Sequence, residues 1–237
     1  MLPLRDDNPT RRIPIVTVAL IVANIAIFAF VQPHGSEQEA RFTYEHAAIP
    51  CELEQGHPLD VGQIESNDCS NESGPEVFPD KSVWLAVLVS MFLHGSWLHV
   101  LGNMLFLWIF GDNVEDYLNP IGFVLFYVIA GLIASLTFVL TDLGSVEPFL
   151  GASGAIAGLM GMYLVLWPRA RVLTFIVLPP FVLYIPASVV LIIWFVLQFF
   201  TSPNSGVAWT AHVGGFVFGV LVGLGLRRVR PPRVLAR

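Results

Sequence analysis

Hydrophobic and polar positions alternate along this chain on the scale of whole helices. A helix needs about 20 mostly apolar residues to cross a bilayer. Six apolar stretches of helical length can be picked out: Ile13 to Val31, Leu98 to Phe110, Ile121 to Leu140, Ser153 to Trp167, Ala187 to Phe200 and Trp209 to Leu226. The pattern predicts an all-α membrane protein built as a bundle of six transmembrane helices.

One further apolar stretch, from Val172 to Pro186, is left out of this count. Pro179, Pro180 and Pro186 interrupt it, and a proline inside a helix removes a backbone hydrogen bond and clashes with the preceding turn. We interpret the stretch as a connector at the membrane interface. A seventh hydrophobic segment, or a long kinked fifth helix, stays open as the alternative.

Composition and charge agree with a multi-pass protein and orient it. Hydrophobic residues make up 55% of the chain, charged residues 13%, and the mean hydropathy is +0.69. Ten of the twelve basic residues fall on one side of the six-helix arrangement: Arg5, Arg11, Arg12, Arg169, Arg171, Arg227, Arg228, Arg230, Arg233 and Arg237. Because positive residues stay inside, we expect both termini in the cytoplasm, in the cell membrane of a bacterium.

The net charge of −6 arises mostly in one loop, since eleven acidic residues lie between positions 32 and 80. The first apolar stretch lacks a small-residue cleavage pattern, so we interpret it as a retained anchor and not a signal peptide. The expected organisation is a cytoplasmic N-terminus (1–12), a first helix (13–31), an acidic external loop (32–82), a core with helices two to six (83–227) and a basic cytoplasmic tail (228–237).

Both cysteines, Cys51 and Cys69, lie in the acidic loop. On the external side of a membrane such a pair favours a disulfide, which would restrain the loop. A zinc site that adds His46 or His57 is the alternative. No closely spaced ligand pair supports it.

The candidate chemistry centres on Ser153 and His212, each buried in its own apolar stretch. A hydroxyl and an imidazole held inside a bilayer suggest a serine nucleophile and its general base. Small residues favour contact between the two stretches, because small residues at every fourth position let helix backbones approach closely in lipid. These rows are Ser153, Ala157 and Gly161, with Gly154 and Gly158 beside them, and Ala211, Gly215, Gly219 and Gly223. Tight packing around a polar pair buried by chance is the alternative.

A second polar cluster precedes and enters the second stretch. His99 and Asn103 are four residues apart, so a helix places them on one face, where both could donate hydrogen bonds to a developing oxyanion. The alternative is a polar contact between helices. We expect His94 to fasten the preceding loop.

These residues together resemble the rhomboid intramembrane serine proteases, from the first stretch to the sixth. Gly151-Ala152-Ser153-Gly154 is similar to the family's Gly-x-Ser-Gly motif, Ala211-His212 to its sixth helix, and His94, His99 and Asn103 to its second-helix spacing. The resemblance implies a rhomboid-like bundle around a water-filled cavity that opens to the outside.

The resemblance also implies the role of each residue. Ser153 would be the nucleophile and His212 the base. His99, Asn103 and the Ser153 N–H would form the oxyanion hole, with Gly151 keeping it open.

The chain departs from the family where an aromatic ring often packs on the catalytic histidine, because Ala157 stands there. Trp209 and Phe216 are candidate substitutes. No third, acidic member is visible, since Asp142 and Glu147 lie in a loop that we expect to be solvated.

The expected function is hydrolysis of peptide bonds in single-span membrane proteins by a Ser-His dyad, in contact with the lipid bilayer. Ser135 and Gln198 are candidates to hold the water, and the substrate is expected to pass the fifth helix. No cofactor, metal or nucleic acid is expected, because no phosphate loop or metal-ligand spacing occurs. An inactive rhomboid-like protein that binds client helices, or a small transporter, is the alternative. A transporter is not supported, because the paired charges typical of that class are missing from the third and fifth stretches.

Overall fold

The computed structural model describes residues 1–177, 179–202 and 206–229, where the chain forms ten helices and one three-stranded sheet. The helices are α1 (Ile15–Phe30), α2 (Ser36–His46), α3 (Pro50–Gln55), α4 (Val61–Ser66), α5 (Val83–Ser90), α6 (Trp97–Leu118), α7 (Pro120–Thr141), α8 (Ser153–Leu166), α9 (Ala187–Gln198) and α10 (Trp209–Val229). The strands are β1 (Leu2–Asp6), β2 (Arg171–Ile176) and β3 (Phe181–Pro186). Most of the predicted basic tail, from residue 230 onward, lies outside the described residues.

Each of the six predicted stretches forms one helix: α1, α6, α7, α8, α9 and α10. Within the described residues, α7 and α10 are long and apolar enough to cross a membrane, whereas α1, α8 and α9 are apolar but shorter. The protein is therefore mostly helical. The crossing of the bilayer by all six helices, and the orientation of the termini, stay predictions.

The second predicted stretch ends too early at Phe110, because α6 continues to Leu118. Its last turns carry the acidic residues Asp112, Glu115 and Asp116. Glu115 is buried, and its carboxylate accepts hydrogen bonds from the backbone N–H groups of Val16 and Thr17, at 3.0 and 2.8 Å. A carboxylate at a helix N-terminus satisfies free donors and complements the helix dipole. Glu115 thereby caps α1.

The all-α prediction is wrong at one end of the bundle, where the three strands form an antiparallel sheet in the order β1-β2-β3. β2 and β3 pair with each other and take up most of the stretch between Val172 and Pro186. The predicted connector is thus not helical, and a long kinked fifth helix is wrong because α9 begins only at Ala187. The position of the sheet at a membrane interface stays a prediction.

The N-terminal strand is anchored by a partly buried carboxylate. Asp6 accepts hydrogen bonds from the Tyr163 hydroxyl of α8 and, at 3.1 Å, from the Asn113 amide of α6. Burial raises the pKa of Asp6 to about 6, although the hydrogen bond from Tyr163 opposes the change. Native Asp6 therefore holds a proton more tightly than the unfolded chain does.

Stability should consequently fall as pH rises from about 4 to about 6, since in this window the native state binds the proton that the unfolded state has lost. Replacing Asp6 by Asn should remove this contribution. The stability of D6N relative to the parent should rise by about 1–3 kcal/mol between pH 4 and pH 7. The apparent Tm in detergent, followed over this range, measures it. Asp80→Asn, at an exposed carboxyl, is the control, and parallel curves for parent and D6N would contradict the expectation.

The segment between α1 and α5 is folded and has its own small core. The buried residues of this core are Ile49, Cys51, Leu59 and, from the loop before α8, Val146. Beside it, Lys81 Nζ lies 2.6 Å from Glu52 Oε2, and both side chains are only 2% exposed. Burial raises the pKa of Glu52 and lowers that of Lys81, and their mutual attraction opposes both changes.

Cys51 and Cys69 are joined in the disulfide that the sequence predicts, with their Cα atoms 5.8 Å apart. The zinc alternative is wrong, because both sulfurs are used in this bond. Gln63 donates to the Cys69 carbonyl oxygen at 2.8 Å, so the bridge is tied to the start of α4 as well. The bond closes a loop with a sequence separation of 18 residues.

Replacing both cysteines by serine should destabilise this segment by about 3 kcal/mol, the usual entropy of closing a loop of this length. The apparent Tm and the rate of proteolysis between α1 and α5 measure the effect. Reductant should bring the parent to the behaviour of the double variant and leave the variant unchanged. Equal proteolysis of parent and variant without reductant would contradict the expectation.

Helices α8 and α10 touch along their glycines, as the rows of small residues predict. A Cβ added at Gly215 would overlap the carbonyl oxygen of Gly154, and one added at Gly219 would overlap that of Gly158. Only hydrogen at these positions allows the two backbones to meet. The contact places the first turns of α8 and α10 side by side.

Candidate active site

Ser153 is the first residue of α8, held by a loop with an unusual backbone. Gly151, two residues earlier, has φ +129°, a conformation that side chains disfavour. Its N–H donates to the Ser90 carbonyl oxygen at 2.8 Å. Because the first N–H groups of a helix have no partner within the helix, the Ser153 N–H has no acceptor within α8.

His212 lies one turn into α10 and meets Ser153 directly. Its Nε2 is 2.7 Å from Ser153 Oγ, a distance at which the ring can accept the hydroxyl proton. The small-residue contact of α8 and α10 thus brings together two residues that are 59 positions apart in the sequence.

The other ring nitrogen of His212 is also used. Nδ1 lies 2.7 Å from Oε1 of Gln198, the last residue of α9. Trp194, one turn earlier on α9, has its ring centroid 5.8 Å from that of His212 at an interplanar angle of 38°. The two ring candidates from the sequence lie elsewhere: Phe216 packs on Trp194 and Phe195, and Trp209 on Phe199.

His99 and Asn103 lie one turn apart on α6, and His99 faces Gly151. A Cβ added at Gly151 would lie 2.9 Å from His99 Nε2 and 3.6 Å from Ser153 Oγ. Gly151 therefore leaves open the space where His99 approaches the serine. Gly95 N–H donates to His99 Nδ1 at 3.4 Å, which leaves the hydrogen on Nε2, the nitrogen beside Gly151.

Asn103 offers a second unused donor. Its Nδ2 is buried and has no hydrogen-bond partner within the described part of the chain. A buried donor without a partner is costly, and such groups occur at sites that receive a ligand or a transient charge. The arrangement is compatible with the predicted oxyanion hole.

His94 is buried in the turn before α6 and exchanges two hydrogen bonds with Gln32. The backbone N–H of His94 donates to Gln32 Oε1 at 2.9 Å, and Gln32 Nε2 donates to the backbone carbonyl oxygen of His94 at 3.0 Å. Its ring packs edge-on against that of His99, with centroids 5.0 Å apart. These contacts are compatible with a fastening role.

The folded segment between α1 and α5 reaches this site through Ser90. Ala48 N–H donates to Ser90 Oγ at 2.6 Å, and the Ser90 carbonyl oxygen receives the Gly151 N–H. Phe149 N–H donates to the Ala48 carbonyl oxygen at 2.9 Å. The loop that carries the serine is thus held from outside the helical bundle.

A small cavity of about 20 Å³ lies beside the serine. Ser135, Ser90 and Ser153 are among its lining residues. This is about the space that one water needs. Ser135 therefore stays a candidate for holding water, whereas Gln198 contacts the histidine itself.

The sequence did not reveal what orients His212. The sequence suggested Gln198 only as a candidate to hold water, and Trp194 carried no signal. Asp142 and Glu147, the acidic residues that we considered, lie in the loop between α7 and α8. Within the described residues, neither of the two hydrogen bonds of the His212 ring involves them.

Comparison with known proteins gives a family and several relatives. The family model described as Rhomboid domain matches residues 81–229, more than half of the chain. The chain is 32% identical over 148 residues to "Rhomboid protein 1, mitochondrial" of Saccharomyces cerevisiae, covering 59% of this chain and 41% of that protein. It is 32% identical over 136 residues to "RHOMBOID-like protein 5" of Arabidopsis thaliana, covering 56% and 41%.

A third relative is "Rhomboid-like protein 11, chloroplastic" of Arabidopsis thaliana, 31% identical over 104 residues, which cover 42% of this chain and 36% of that protein. The chain thus spans about two fifths of the length of these curated relatives. Two of their names give an organelle, so they do not support a bacterial membrane. That location stays a prediction.

Proposed function

The chain belongs to the rhomboid family of membrane-embedded proteins, and from this premise we propose that it is an intramembrane serine endopeptidase with Ser153 and His212 as its catalytic pair. The observation that carries the proposal is the 2.7 Å separation of Ser153 Oγ and His212 Nε2. The family acts on membrane proteins in the bilayer.

In the first half of the reaction, His212 takes the proton of the Ser153 hydroxyl while Oγ attacks the carbonyl carbon of the scissile bond. The carbonyl oxygen becomes an oxyanion, which the Ser153 N–H, His99 Nε2–H and Asn103 Nδ2–H stabilise. The C–N bond then breaks, and the leaving amine receives the proton from His212. An acyl ester remains on Ser153.

In the second half, water replaces the leaving group. His212 takes a proton from the water as its oxygen attacks the ester carbon, and the same donors hold the second oxyanion. The C–Oγ bond breaks, Oγ recovers the proton, and the new carboxylic acid leaves. The small cavity beside Ser153 offers room for such a water.

The proposed substrates are single-span membrane proteins whose helix can unwind near the site. A peptide bond inside a regular helix has its polar groups satisfied and is not available to a nucleophile. We propose that substrates pass α9 to reach Ser153. Ser153 and His212 are both present and in contact. This favours hydrolysis over the alternative of a client-binding protein without activity.

The experiment that tests the function is cleavage of a single-span reporter by the purified protein in liposomes. We expect two fragments that form with time and with protein concentration. Intact reporter that binds without being cut would favour the client-binding alternative.

A further inference from the structure

The side chain that meets the second nitrogen of His212 is held in one orientation by its own helix. Gln198 Nε2 donates to the carbonyl oxygen of Trp194, one turn earlier, at 3.0 Å. A carbonyl can only accept, so this bond requires the NH₂ end of the amide. The Gln198 oxygen is therefore the atom that faces His212 Nδ1, at 2.7 Å.

This orientation decides where the imidazole carries its proton. An amide oxygen can only accept, so Nδ1 must be the protonated nitrogen in neutral His212. Nε2 is then left with its lone pair and can accept the Ser153 hydroxyl, at 2.7 Å. The other tautomer would direct an N–H at the hydroxyl and a lone pair at the Gln198 oxygen.

Burial explains why an amide suits this position. Gln198 is 8% exposed and lies at the end of an apolar helix. A carboxylate there would have to be desolvated, at a cost that a single hydrogen bond does not offset. A neutral amide selects the tautomer without bringing a charge into the bilayer.

A second contact comes from the same face of the same helix. Trp194 and Gln198 are one turn apart on α9, and the Trp194 ring lies beside the imidazole. Such ring pairs restrict the plane of the imidazole. One helix thus restricts both the proton position and the tilt of His212.

We propose that Gln198 is the positioning residue that holds the proton of His212 on Nδ1, so that α9 keeps the base ready to accept from Ser153. This rests on the proposed function. The chain would then use a Ser-His-Gln arrangement in which the third member is neutral.

The test compares Gln198→Leu, which removes the acceptor, with Gln198→Glu, which keeps one. Thr201→Val, which removes a hydroxyl one turn later, is the matched control. In Q198L we expect kcat on the liposome reporter to fall about tenfold to hundredfold with little change in KM, the range typical of losing an outer partner that orients a metal-bound histidine. Q198E should recover part of kcat, and Thr201→Val should behave as the parent.

The second readout is the nitrogen NMR spectrum of the histidine rings in micelles, with the His212 signals identified by their loss in His212→Ala. The parent should show a protonated Nδ1 and a bare Nε2. Q198L should show a mixture of tautomers, and Q198E the parental form.

A parent spectrum with the proton on Nε2 would overturn the proposal, whether or not Q198L folds. Parental kcat and tautomer in folded Q198L would also overturn it. A parent that does not cleave would instead refute the proposed function, and the spectrum would still decide where His212 holds its proton.

Discussion

Replacing Ser153 by Ala is expected to abolish cleavage of the single-span reporter. The hydroxyl is the only group of that side chain that can form the acyl ester, and Ala keeps the helix start and the backbone donor. Loss of a serine nucleophile or of its base in serine proteases costs about 10⁴–10⁶ in kcat. His212→Ala should be equally inactive, and the double variant no worse, since the two act as a unit.

The measurement is initial cleavage rate in liposomes at a fixed ratio of protein to reporter, with apparent Tm as the check on folding. Ser66→Ala, at an exposed serine in α4, should cleave as the parent does. A serine-reactive phosphonate should label the parent and not S153A. Parental cleavage by folded S153A would refute the assignment of the nucleophile.

Replacing Gly219 by Ala is expected to separate the two helices that carry the catalytic pair. The added methyl group would overlap the Gly158 carbonyl oxygen, a backbone atom that cannot move without shifting α8. Overpacking of this kind costs about 1–3 kcal/mol, and more where a backbone atom is in the way. We expect a marked fall in apparent Tm and loss of cleavage, although Gly219 lies about two turns from His212.

Gly225→Ala is the matched control, because it makes the same change on the same helix. A Cβ at Gly225 meets no heavy atom within 4 Å, and Ala is the better helix former by about 1 kcal/mol. G225A should therefore keep or slightly raise the apparent Tm and cleave as the parent. Equal behaviour of G219A and G225A would contradict close contact between α8 and α10.

The helical part of the fold follows from the sequence because its signal is local. Apolar length predicts α7 and α10 well, and rows of glycine and alanine predict that α8 and α10 touch. The end of α6 was misjudged for a long-range reason. Glu115 belongs inside the helix because it caps α1, a partner that is about 100 residues away in the sequence.

The sheet could not be predicted, since its strands have no local pattern of their own. β1 is five residues long, contains Pro3 and pairs with a strand beyond residue 170. The prolines near β3 correctly argued against a helix. The pairing of β2 with β1, however, depends on where α1 and α8 place these two strands.

The candidate site was likewise predictable from the sequence only in part. Ser153 and His212 were predicted from motif and spacing, and the structure brings them into contact, while their catalytic roles stay proposals. Trp194 and Gln198 become partners of His212 only through the relative rotation of α9 and α10, which apolar periodicity does not specify. Ala157 correctly indicated that no aromatic ring packs on His212 from that position. It gave no information on which residue would supply a ring instead.

Pairing of β1 with β2 imposes an order on biosynthesis. β1 is made before β2, which follows only after α1, α6, α7 and α8 have been made. Until then the N-terminal strand has unsatisfied backbone groups, and Asp6 lacks the Tyr163 hydroxyl of α8. Contacts between such distant segments are slow to form. The β1 segment is therefore a late-closing part of the fold, although it is made before the helices on which its closure depends.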